Sequence, residues 1–114
     1  MPPKKNPLNL NPLQLKTLTL LQALSQLPDH AKPGAEPGSI LVGNIPHPHG
    51  DHFHMGNAAV AARDASGLAN QAVWVALERK GLIKGTFPYS AIVTAQGLGY
   101  DTGLHDVILH HSEH

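Results

Sequence analysis

The sequence predicts a small α+β domain, and three observations carry that prediction. A leucine-rich segment with a proline at its start has helical spacing, as does a second segment from Leu68 to Lys80. Short β-branched and aliphatic runs bounded by glycine and proline read as strands. The chain has 114 residues, enough for one domain that buries roughly two-thirds of its unfolded surface. With 41% hydrophobic but only 4% aromatic residues, the core has to be aliphatic and rich in alanine.

Residues 1–10 carry prolines and lysines and read as a loose arm, with a single domain over 11–114. Asn11 before Pro12 is an N-cap followed by proline at the first helical position, and Gln14 stands where a capping-box partner belongs. Leu13, Leu20, Leu21, Leu24 and Leu27 form one stripe at helical period, while Leu15 and Leu18 lie off it. A helix apolar on more than one face is either well covered or touches a second chain. Pro28 ends it, and residues 28–39 read as a Pro/Gly loop holding His30 at the surface. Ile40 to Gly43 reads as a strand. Ala58 to Asp64 is ambiguous between helix and strand. Gly81 behind the Leu68–Lys80 helix has the position of a Schellman C′ residue, and Arg79 and Lys80 suit the end of the helix dipole. Two strands, 82–86 and 90–94, flank Phe87-Pro88-Tyr89; Thr94 to Leu98 reads as a helical turn, and Leu104 to Leu109 is apolar enough to dock.

Between the first strand and the ambiguous segment, within a region spanning about 40–56, lies Pro46-His47-Pro48-His49-Gly50-Asp51-His52-Phe53-His54. Gly-Asp between extended flanks is a two-residue hairpin signal. Closed by His49 opposite His52, the hairpin sets Pro48 against Phe53, His47 against His54 and Pro46 against Met55. Directly opposed residues share a face, so His47, His49, His52 and His54 would stand on one side. The prolines require such a strand to be an edge. Imidazoles at i, i+2 can chelate a transition metal, and zinc, nickel or copper suits them best. Without a metal, four neighbouring imidazoles repel one another as pH falls and loosen any contact they make.

Composition narrows the function classes. Eight Lys+Arg balance eight Asp+Glu, which argues against a strongly electrostatic partner but leaves room for a local basic patch. No cysteine is present, so thiolate zinc sites and cysteine nucleophiles are excluded. No run approaches the ~20 apolar residues of a membrane span, and the N-terminus lacks an apolar leader, so the expectation is a cytoplasmic protein with no membrane partner. No Ser-His-Asp set, phosphate-binding glycine loop or carboxylate pair can be assembled.

Two resemblances bear on these patterns. The order helix, loop, helices ending in Leu77-Glu78-Arg79-Lys80-Gly81-Leu82-Ile83, hairpin, then Thr94-Ala95-Gln96-Gly97 resembles the winged helix-turn-helix domains of bacterial regulators. It covers residues 58–98, with 11–27 as first helix and the histidine hairpin as an insertion. The resemblance implies that Val73, Trp74, Leu77 and Leu82 pack on the core. It places Gln71, Ala72, Val75 and Ala76 outward, with Ser66 and Asn70 near the helix start. Arg63, Arg79, Lys80 and Lys84 would be within reach of phosphates. Ala72-Val75-Ala76 is an apolar strip that suits a homodimer or partner contact better than a DNA groove. Separately, His47-x-His49-x-Asp51-His52 is similar to the H-x-H-x-D-H signature of metallo-β-lactamase-fold hydrolases. That fold is a larger αββα sandwich with further ligands on later strands, whereas the later histidines here, at 105, 110, 111 and 114, fall in one short tail.

The expected function is therefore a non-enzymatic binding or regulatory module of winged-helix type, DNA-binding and metal- or pH-responsive through the histidines. A dimerisation module without DNA is the first alternative, and a small metal-dependent hydrolase the second.

Overall fold

The domain is built around its first helix. In the computed structural model, which describes residues 6–46, 50–56 and 58–111, α1 spans Pro12–Leu24. Its capping box is complete. Asn11 Oδ1 accepts from the Gln14 N–H at 2.8 Å, and Gln14 Oε1 accepts from the Asn11 N–H at 3.0 Å. Thr17, Leu18, Thr19, Leu20, Leu21, Gln22 and Leu24 are all buried, so the off-stripe Leu18 is covered within the chain itself. Burial of two threonines is tolerable because their hydroxyls donate back to the carbonyls of Leu13 and Leu15, each at 2.8 Å.

The remaining elements follow in chain order: β1 (Ala31–Pro33), β2 (Ile40–Val42), β3 (His52–Met55), β4 (Ala58–Ala61), a 3₁₀ helix (Ala62–Ala69), α2 (Gln71–Arg79), β5 (Ile83–Thr86), β6 (Ser90–Val93), α3 (Ala95–Leu98), α4 (His105–Ile108) and β7 (His110–His111). They form an α+β domain with two antiparallel sheets, ordered β1-β2-β6-β5 and β3-β4-β7. Thus β2, from the segment after α1, lies beside the second strand of the β5–β6 hairpin. Side-chain alternation turns Val42, Ala91, Val93 and Ile83 into the core and leaves Lys84 exposed and Leu41 and Ile92 half-buried on the other face.

Several sequence expectations are corrected. Residues 28–39 contain β1, which the Pro/Gly reading of this stretch hides; a three-residue edge strand ending in Pro33 gives up no ladder hydrogen bond the sheet needs. Ala58–Ala61 is strand, and the continuous helix expected over 68–80 is two pieces separated at Asn70, whose side chain caps α2 by accepting from the Ala72 N–H at 3.0 Å. The 3₁₀ helix lies against α1, where a Cβ on Gly67 would stand 1.9 Å from Thr17 Oγ1. The arm is docked from residue 6 onward. Leu10 is buried, Asn6 clamps the Leu10 backbone through both its amide atoms, and the Tyr100 hydroxyl donates to Asn6 Oδ1 at 2.6 Å.

The arm that follows Gly50-Asp51 finds a partner in the next segment of the chain. His52–Met55 pairs forward onto β4 with register His52↔Ala61, Phe53↔Val60, His54↔Ala59 and Met55↔Ala58. Gly56, directly after β3, has φ +59°, the left-handed backbone a tight reversal asks of glycine. Ala58 and Val60 join Met55 in the core. The proposed pairing of His47, Pro48 and His49 lies outside the described residues.

The end of α2 and the C-terminal segment match their expected chemistry. Gly81, at φ +76°, donates to the Glu78 carbonyl and Leu82 N–H to the Leu77 carbonyl, the two bonds of a Schellman motif. Ile108 and Leu109 dock into the core. Gln22 fastens this region to α1, donating through Nε2 to the carbonyls of Gly97 at 2.8 Å and Tyr100 at 2.7 Å. Among the described residues, no helix is long and apolar enough to cross a membrane.

Candidate binding face on the second helix

The face that α2 offers to its surroundings is set by what it must bury. Val73, Trp74 and Leu77 recur at helical spacing and are 5%, 3% and 0% exposed, and Leu82 beyond the cap is fully buried. Trp74 stacks edge-to-face on Phe87 at 5.1 Å between ring centres, joining α2 to the β5–β6 hairpin. Gly85 makes that joint possible, because a Cβ there would come within 3.0 Å of the indole ring. Trp74 Nε1 is buried with no hydrogen-bond partner among the described residues.

What remains outward is Gln71, Ala72, Val75, Glu78 and Arg79, all exposed, while Ala76 is half-buried and not part of the outer strip as the sequence pattern implies. The other predicted contact residues already have internal roles. Asn70 caps α2 through Oδ1, with its amide N–H groups left over. Ser66 sits on the 3₁₀ helix and turns its hydroxyl back toward the Arg63 carbonyl at 3.4 Å. Lys80 Nζ donates to the Leu8 carbonyl at 2.9 Å, and Lys84 pairs with Glu36 across the sheet. Both lysines are exposed, and a solvated ion pair such as Lys84–Glu36 contributes ~0–1 kcal/mol, so either ammonium can exchange its partner.

Charge is distributed unevenly around this face. Asp64 is withdrawn from the surface and paired with Lys16 at 2.9 Å, tying the 3₁₀ helix to α1. From Ala62 to Thr86 the exposed charges are then Arg63, Arg79, Lys80 and Lys84 against Glu78 alone. A shallow groove of about 490 Å³ follows β5, with Glu78 at one side and Leu41 and Ile92 at the other.

Of the four predicted metal ligands, His52 and His54 stand together on the exposed face of β3, with ring centres 6.0 Å apart; His47 and His49 lie outside the described residues. Two further imidazoles, those of His30 and His105, are engaged elsewhere. His30 Nδ1 lies 3.2 Å from the Gly43 carbonyl, and His105 Nε2 lies 3.0 Å from Gln22 Oε1. Among the described residues, no three His, Asp or Glu side chains converge. Neither a protein-family model, nor a curated protein, nor a solved structure matches this chain.

Proposed function

We propose that this chain is a non-enzymatic binding module of winged helix-turn-helix type that docks on duplex DNA through α2. The observation that carries the proposal is the joint arrangement of α2 and the sheet. The 3₁₀ helix and α2 follow one another across a single cap residue, α2 buries one apolar stripe, and a two-stranded hairpin follows whose second strand pairs with β2. An exposed helix face beside a hairpin is the geometry that enters a major groove, with cations at its flanks on phosphates.

The chemistry of the face sets what kind of binding to expect. Only Asn70 and Gln71 offer amides for base edges, so sequence discrimination is modest and phosphate contacts supply most of the affinity. Binding of a fluorescein-labelled random duplex, followed by anisotropy at low salt, tests this. Arg63→Ala with Arg79→Ala is expected to weaken binding on every sequence alike, with the circular dichroism unchanged. Equal affinity of wild type and double variant argues against the face.

One observation favours a different partner on the same face. Val75 is 37% exposed between Ala72 and the Glu78 carboxylate, a neutral strip that also suits a protein surface or a second copy of the chain. Sedimentation at increasing concentration separates the two: a dimer that Val75→Glu dissociates assigns the strip to self-association.

A further inference from the structure

We infer that His52 and His54 form a chelating site for a borderline first-row divalent cation, of the nickel, copper or zinc class, on the solvent face of β3. The two residues are i and i+2 on one strand, so the pleat points both imidazoles the same way, while Phe53 and Met55 turn inward. Their ring centres are 6.0 Å apart and the rings are nearly perpendicular, at 81°. Two imidazoles sharing one cation at ~2.0–2.1 Å from nitrogen have ring centres roughly 5 Å apart, so side-chain rotations that bring one nitrogen of each ring together close the chelate. Both side chains are exposed and free to make them.

The strand beneath is prepared for such a site. Four consecutive register pairs hold β3 to β4, fixing the spacing of the two Cα atoms. The residues directly across from the histidines are Ala61 and Ala59, whose methyl groups carry nothing that competes for a cation. Neither imidazole makes a hydrogen bond among the described residues, in contrast to His30 and His105, whose ring nitrogens already face the Gly43 carbonyl and Gln22. Neutral imidazole is the ligand that suits these cations, and water completes the coordination of a two-nitrogen site. The site does not depend on DNA binding, and its test involves no nucleic acid.

Nickel chloride titrated calorimetrically into the full chain reads the proposal directly. The wild type and a His30→Ala/His105→Ala control are expected to take up one equivalent, and a His52→Ala/His54→Ala variant to bind at least tenfold more weakly. Retention of wild-type affinity by that variant, or no uptake by the wild type, overturns the proposal. A second measurement needs no variant. Substoichiometric nickel should broaden the imidazole proton resonances of His52 and His54 before those of any other histidine, and broadening that starts at other rings contradicts the assignment.

Discussion

Gly67→Ala tests how the 3₁₀ helix holds α2 in place. Gly67 is buried against α1, and a Cβ added there would lie 1.9 Å from Thr17 Oγ1 and 3.2 Å from Thr17 Cβ. Thr17 is fully buried, so its side chain cannot swing into solvent to make room. Overpacking of this kind costs ~1–3 kcal/mol. The φ of Gly67 lies outside the left-handed region, so alanine also restricts the unfolded chain and returns ~0.4–1 kcal/mol. The net loss is about 1–2 kcal/mol, or a fall in Tm of roughly 4–8 °C for a chain of this size. The cause is identified by a double-mutant cycle in urea. Thr17→Ala removes the colliding hydroxyl together with its bond to the Leu13 carbonyl, at a cost of ~0.5–1.5 kcal/mol by itself. In that background Gly67→Ala should be nearly neutral, a coupling of about 1 kcal/mol or more. Additivity within ~0.5 kcal/mol would refute the proposed collision.

Three further outcomes follow from the same packing. Gly97→Ala places a Cβ 2.1 Å from the Leu82 carbonyl oxygen, a backbone atom that no side-chain change can relieve, so chemical denaturation should show a loss near the ~3 kcal/mol top of the overpacking range. Leu20→Ala, at a fully buried position at the centre of α1, should cost ~2–5 kcal/mol with an unchanged m-value. Glu78→Gln removes the only exposed carboxylate between Ala62 and Thr86; duplex affinity should rise at low salt while Tm stays within the scatter of surface substitutions, and unaltered affinity would place Glu78 away from the DNA.

Much of the architecture is legible in local chemistry. The Asn11–Gln14 box, the Gly81 cap and the buried stripe of Val73, Trp74 and Leu77 are each specified within a few residues, and each forms as its residues imply. Elsewhere the local signal leaves a segment open and distant packing chooses. Ala58–Ala61 fits helix or strand by its own pattern, and pairing with β3, which sets Ala58 and Val60 in the core beside Met55, makes it strand. The arm looks mobile because prolines and lysines fill it, yet Asn6 is held by Tyr100, ninety-four positions away, a contact no local pattern encodes. At the candidate face, the helix period shows which residues point outward. The internal bonds that partly occupy Asn70, Ser66, Lys80 and Lys84 depend on Leu8, Glu36 and the cap geometry, which become neighbours only on folding.

The most direct test of DNA docking through α2 is the salt dependence of duplex binding by the wild-type chain. Arg63, Arg79, Lys80 and Lys84 supply at most four phosphate contacts, so log K should fall against log salt with a slope of about −2 to −3.6. Between about 50 mM and about 200 mM salt this is a loss of roughly 15- to 150-fold in affinity. No detectable duplex binding at the lower salt concentration, or binding that salt leaves unchanged, would contradict DNA docking through α2.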